Sequence, residues 1–401
     1  MRWMRGPGPV LRGFAWLGCL AMGAVTACAS AAPVASPGSA ATALGAPVTV
    51  ASAVARLATP RSRAPSPAAS RSPAASRGEA PAVAGGPAGN PAGHAPVPPA
   101  GQAVATGHPD HVIGDGTPAG CTSAAVVQAV AEGGIVTFDC GPKPVTITMT
   151  ATATVPSSSH LVVLDGGGKV TLNGGGRTQI LSMNPGWQQQ WPQLVVQNLT
   201  FTGAYSGTQQ VAGSSVYGGG AIFAGGGQLK VVNSAFLGNA CYATGPDLGG
   251  GAIRAVGMYP ASPVYITDDT FSANSCSNGG ALSGLYANFD VIDSLLTDNK
   301  AIGWGANPAA TGTPGGGSGG AIYTDGDQYN LTISGTVMRG NTAREGGGGI
   351  FFVVNSGGGT LQIESSTLHD NPSGSFQNAP GIFDSVNGQD TQPVTVSSSV
   401  T

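Results

Sequence analysis

The chain has 401 residues, of which 66 are Gly and 30 are Pro, and only 9% are charged. That composition excludes an ordinary helical enzyme and favours turn-dense β structure joined to a low-complexity segment. The formal net charge of −3 hides a segregation: residues from 106 onward hold 8 Lys/Arg against 18 Asp/Glu, which repels phosphate polymers and excludes nucleic acid as a partner.

Residues 1–27 have the pattern of an export signal, with Arg2, Arg5 and Arg12 ahead of an apolar run from Phe14 to Val25 that is short for a membrane span. The run ends in Val25-Thr26-Ala27-Cys28, which resembles a bacterial lipobox, so Cys28 is expected to carry the lipid of a membrane anchor. A plain signal cleaved near Ala31-Ala32 is the alternative. Residues 28–106 are rich in Ala, Pro, Ser and Gly and include the tandem Ser66-Pro67-Ala68-Ala69-Ser70-Arg71 and Ser72-Pro73-Ala74-Ala75-Ser76-Arg77. Lacking large apolar side chains to bury, this segment is expected to be a disordered tether spanning on the order of 50 Å.

Residues 107–401 form the expected folded domain. Ser123 to Val130 predicts a short helix capped by Thr122 or Ser123 and bracketed by Cys121 and Cys140, placed to cover the first coil of the domain. Strand runs come next at Leu161 to Leu164 and Val170 to Asn173, bounded by Gly166-Gly167-Gly168 and Gly174-Gly175-Gly176.

A repeat then takes over. Gly-Gly doublets open aliphatic strands at Gly219-Gly220-Ala221-Ile222, Gly250-Gly251-Ala252-Ile253, Gly279-Gly280-Ala281-Leu282, Gly319-Gly320-Ala321-Ile322 and the degenerate Gly348-Gly349-Ile350-Phe351. Strands ending in Asn239, Asn274, Asn299, Asn341 and Asn371 close the repeats. Counted back from each Asn, apolar residues recur ten, eight and three positions earlier, as in Val264, Ile266 and Phe271. The first two share one strand face, and the third reaches the same interior only if the chain bends between them. Each coil therefore supplies three strands, and about nine coils stack into a three-faced solenoid roughly 45 Å long. An earlier coil keeps Leu194, Val196 and Phe201 but has Ala204 in place of Asn.

The recurring Asn is expected to form a hydrogen-bonded ladder. Cys241 and Cys276 each follow a ladder Asn by two residues, so the register stacks them and selects the pairs Cys121–Cys140 and Cys241–Cys276. At the far end Pro393 to Thr401 aligns with Pro263 to Phe271, which leaves the last edge frayed or covered by something else.

Asp268, Asp269 and Asp293 come from consecutive coils at aligned positions. They are weak candidates for glycoside hydrolysis, and Asp268 with Asp293 for a Ca²⁺ site, the simpler reading being a turn ladder shared with Asn198 and Asn233. No other cofactor is indicated. The 40-residue interval between the third and fourth doublets carries a loop from Gly303 to Ser318 with Trp304. Other loops hold Trp187, Trp191, Tyr205, Tyr217, Tyr242 and Tyr259, candidates for contact with a glycan or protein.

The doublets and closing Phe-x-x-Asn motifs resemble the repeats of polymorphic outer membrane proteins, and the domain resembles a right-handed parallel β-helix of the pectate-lyase-like superfamily. The first resemblance implies display at the cell surface and adhesion without catalysis. The second leaves room for a polysaccharide lyase or glycoside hydrolase, for which Arg254 is the one loose candidate base, since the Gly-His-Gly and Arg-x-Lys motifs of the hydrolases are absent. A purely structural envelope protein is a third reading. The chain is expected to act as a monomer.

Overall fold

The computed structural model describes residues 87–207, 218–246, 248–305, 313–355, 358–386 and 394–397. The signal segment, Cys28, Tyr217, most of the tether and the last four residues lie outside them. Among the described residues the chain is a parallel β-helix with one α-helix, Ser123–Glu132.

Each coil winds through three faces. Face 1 holds strands such as Gln228–Val232, Val264–Thr267 and Phe289–Ile292, and face 2 holds Ala235–Leu237, Thr270–Ser272 and Leu295–Thr297. Face 3 carries the doublet strands Ile222–Gly225, Ile253–Val256, Leu282–Leu285 and Ile322–Gly326. A short fourth sheet, absent from the sequence expectation, comes after the closing Asn of four coils, as at Ala240–Cys241 and Ser275–Cys276. Face 3 stacks eight strands, close to the nine coils expected.

The expected register is the observed one: Val264 lies over Phe289, Phe289 over Leu331, and Phe236 over Phe271, which lies over Leu296. Leu361 pairs with Val394, so the alignment extends into the last described strand. One doublet needs correction. Ile322 pairs with Ile350, which makes Gly347-Gly348-Gly349-Ile350 the fifth motif, shifted by one residue, with Gly349 in the alanine position. A second correction concerns Gly166 to Gly168. They lie within one long strand, Leu161–Asn173, whose register against its neighbour shifts between Asp165 and Val170.

The interior is a continuous apolar column. Phe201, Phe236 and Phe271 stack face to face with ring centres 4.8 Å apart at each step. The doublets allow the turn before face 3: Gly250 adopts φ +74°, and a Cβ on Gly251 would run into the Gly280 carbonyl of the next coil. The bend between faces 1 and 2 is a column of left-handed residues, Asn198, Asn233, Asp268, Asp293, Gly335 and Ser365, with φ between 47° and 60°. Asn and Asp tolerate that conformation better than most side chains do, which explains their recurrence there.

The Asn ladder is complete from Asn239 to Asn371. Asn299 Oδ1 accepts both the backbone N–H of Asn274 (3.0 Å) and its side-chain amide (2.9 Å), and Asn299 Nδ2 donates to Phe271 O. Ala204 fits the first rung because its N–H alone donates to Asn239 Oδ1. A second ladder, which the sequence pattern did not reveal, runs one residue after the bend. Ser234, Asp269, Ser294, Thr336 and Ser366 each accept the backbone N–H of the preceding coil.

The helix covers the first coil as expected, burying Val126, Ala129 and Val130, with its first turn capped by the Thr122 hydroxyl. Cys121 and Cys140 are bonded, with Cα atoms 5.7 Å apart, and Cys241 is bonded to Cys276 between stacked coils, with Cα atoms 4.7 Å apart.

Residues 87–106, expected to belong to the disordered tether, are instead laid along the rod. Ala88 N–H donates to Asn233 Oδ1, Gly89 N–H to Thr270 Oγ1 and Asn90 N–H to Asp293 O. The segment then reverses and descends. Ala95 N–H donates to the Asp293 carboxylate, Lys230 Nζ to Gln102 O, Val104 N–H to Gln197 Oε1, and Thr106 Oγ1 to Asp165 Oδ2. This strap is held by backbone groups meeting side chains of the rod, which is why its low-complexity composition gave no sign of order.

Candidate functional site

The acidic column does not form a solvent-facing site. Asp269 points inward with no exposure and belongs to the second ladder. Burial pushes its carboxyl well up, against N–H bonds from Ser234 and Thr267. Asp293 is covered by the strap: both its oxygens lie within 3.1 Å of Ala95 N, and it is 5% exposed. Asp268 is partly buried, and burial followed by the Asp293 charge raises it. Asp268 and Asp293 thus serve the bend and the strap, and among the described residues no three acidic, His or Cys side chains gather as a metal cluster. Arg254 is also not the exposed base that a lyase would need. It is 1% exposed on the outer side of face 3 and donates to Ser283 Oγ.

The aromatic loop residues divide. Tyr205 lies half-buried in the short fourth sheet, Tyr242 packs beside the Cys241–Cys276 disulfide, and Trp304, 43% exposed, pairs with Gly315 in the loop after Lys300–Ala301. Trp187 and Trp191 belong together on one loop, residues 184–192, at the corner where face 3 turns into face 1.

That loop is pinned to the rod by backbone bonds. Gly186 N–H donates to Gly225 O, Gln188 N–H to Gly257 O, Gly227 N–H to Gln189 O and Gln228 N–H to Pro192 O. Gly257 is needed because a Cβ there would meet the Trp187 indole. The two indoles are nonetheless 50% and 40% exposed. Trp191 leans on His160, with ring centres 5.2 Å apart, and Trp187 meets Tyr286 edge-on at 5.0 Å. Tyr259, whose N–H donates to Gly227 O, joins the same corner from two coils along.

Polar groups continue the line. The Tyr286 hydroxyl donates to Asp327 Oδ2 at 3.2 Å. Asp325 receives the Tyr323 hydroxyl on Oδ2 and the Asn355 amide on Oδ1. Burial raises Asp325, against those hydrogen bonds and the nearby Arg254 charge. From His160 to Asp327 the line crosses five rungs of face 1, about 24 Å along the rod. Tyr286, Asp325 and Asp327 were not singled out from the sequence. Only the coil register puts them beside Trp187.

A second surface lies under the strap. A cleft of about 480 Å³ is roofed by His94, Pro96 and Pro98 and floored by Asp290, Thr332, Ser334 and Glu364. Burial raises the Asp290 carboxyl despite a hydrogen bond from Thr332.

No helix of the described residues is long and apolar enough to cross a membrane. No family model matches the chain, and no solved structure does. Among curated proteins the chain is similar to an adhesin, "Adhesin BmaC autotransporter" of Brucella suis biovar 1 (strain 1330), at 28% identity over 152 residues. The match covers 35% of this chain and 4% of that protein.

Proposed function

We propose that the chain is an exported, surface-displayed adhesion module that binds without catalysis. The observation that carries this reading is the pinned 184–192 loop, which holds two tryptophans half in solvent on a rigid rod. Large aromatic side chains fixed in that way supply contact area at little conformational cost. The adhesin likeness supports the same reading, over a small part of that protein. In it the lipid on Cys28 anchors the module to a bacterial membrane, the low-complexity tether spaces it outward, and it acts as a monomer. The test is binding of the full chain to an array of glycans and matrix proteins. Trp187→Ala with Trp191→Ala should abolish the binding while far-ultraviolet dichroism stays unchanged. Undiminished binding by the double variant contradicts the reading, and no binding by the natural chain favours a purely structural envelope protein.

A carbohydrate-active lyase or hydrolase is the second reading. The cleft lined by the half-buried Asp290 and by Glu364 favours it over the column of Asp268, Asp269 and Asp293. Polysaccharide turnover that Asp290→Asn removes would establish it.

A further inference from the structure

Which ligand suits the tryptophan corner is decided by the groups around the rings. The segments that build it, residues 184–192, 257–263, 286–288 and 326–330, contain no Lys and no Arg. They contribute Gln188, Gln189 and Gln190, all exposed, with Gln328 further along the line. Two carboxylates, Asp325 and Asp327, complete it. Asp325 has both oxygens engaged, whereas the Tyr286 hydroxyl is the partner of Asp327 through Oδ2, leaving Oδ1 without one among the described residues. Arg254, whose charge acts on Asp325, is itself buried on the outer side of face 3.

Apolar ring faces, amide groups and a carboxylate oxygen able to accept hydroxyl protons match a molecule that has C–H faces and many hydroxyl groups. The acidic side chains and the lack of an exposed cation disfavour sulfated or uronic acid polymers, whose charges would be desolvated beside Asp327 with nothing to pair them. The aromatic line also runs along the rod axis, so an extended chain engages successive rings where a compact ligand meets one.

We infer that the corner of Trp191, Trp187, Tyr286 and Asp327 binds a neutral polysaccharide chain lying parallel to the rod axis. This rests on the corner being the contact surface of the adhesion module. Rings of the sugar cover Trp187 and Trp191, and a sugar hydroxyl donates to Asp327 Oδ1.

The experiment is titration of the full chain with soluble neutral glucans, galactans and mannans, alongside heparin and polygalacturonate. At least one neutral polymer should bind, and binding should change little with added salt because no ion pair contributes. Trp187→Ala and Asp327→Ala should each weaken it by about tenfold or more, the size of one lost ring contact or charge-assisted hydrogen bond. Trp304→Ala, at a different corner, should bind as the natural chain does. Tyr286→Phe keeps the ring but frees Asp327, and should alter affinity without loss of fold. Preferential binding of heparin or polygalacturonate overturns the inference, as does neutral-glycan binding that ignores Trp187→Ala. If a matrix protein binds through Trp187 and Trp191 while no neutral glycan does, the carbohydrate inference fails and the adhesion reading stands.

Discussion

Asp269 Oδ1 accepts the backbone N–H of Ser234 at 2.7 Å, in a column where Ser234, Ser294, Thr336 and Ser366 do the same work with a hydroxyl. A carboxyl there must be buried completely, and burial raises its pKa well above the ordinary value. A folded-state pKa above the unfolded one adds stability at acid pH and loses it as pH climbs through the folded value. Asp269→Ser restores the hydroxyl and removes that loss. Denaturant midpoints are expected to favour the variant increasingly as pH rises above about 4, the ordinary carboxylate value. A constant difference over that range would contradict the assignment.

Asn299→Ala strips four bonds at once, those that its Oδ1 accepts from the Asn274 N–H and side-chain amide and those that its Nδ2 donates to Phe271 O and Asn341 Oδ1, and it leaves the Asn274 N–H unpaired inside the rod. The expected loss is at least about 2 kcal/mol, since buried groups left unsatisfied carry their full desolvation cost. Equilibrium unfolding measures it. Asn371→Ala should cost less, because Asn371 is the last rung of the described ladder and is 6% exposed where Asn299 is fully buried.

The strap has a separable anchor at each end. Asp293→Ala removes the acceptor of Ala95 N–H, so hydrogen exchange in residues 88–98 should accelerate while exchange in the face 2 strands stays slow. At the other end burial alone would raise Asp165, but hydrogen bonds from Asn198, Gly167, Thr106 and Gln197 outweigh it and hold the carboxyl below its usual range. A depressed folded-state pKa gives stability that is present above the unfolded value and lost as pH falls through the folded one. Exchange at Thr106 and its neighbours should therefore rise only on strong acidification, and Asp165→Asn should remove that dependence.

Cys121→Ser with Cys140→Ser should lower stability by about 3 kcal/mol, the loop-closure value for a separation of 19 residues. Protease sensitivity should appear first at Ser123–Glu132, because the capping helix loses its covalent tie to the first coil. If cleavage begins elsewhere, the helix is held chiefly by Val126, Ala129 and Val130.

The rod is legible in the sequence because its periodicity is written in large apolar residues: Phe236 over Phe271 and Ile253 over Leu282 can be aligned by counting. The disulfides come from the same count. Two features escaped for physical reasons. The Ser/Thr/Asp ladder uses residues that are ordinary on a surface, so Asp269 looked like a candidate catalyst when its role depends on which way a bend turns it. The strap has no periodic apolar signal, since its bonds come from its own backbone to Asn233, Gln197 and Asp293. The tryptophans were visible, yet their companions Tyr286 and Asp327 lie 99 and 140 positions beyond Trp187 and meet it only through the coil stacking.

The path of the strap also determines how load enters the molecule. The chain meets the rod at Ala88, on the flank beside Asn233, rather than at the helix-capped end. A pull applied at residue 87 acts on the bonds to Asn233, Thr270 and Asp293 one after another, as tape is peeled, before any tension reaches the coils. Stacked strands share a shearing load among many hydrogen bonds, whereas a peeled strip presents them singly. The strap therefore yields first, and the rod behind it stays wound while it does.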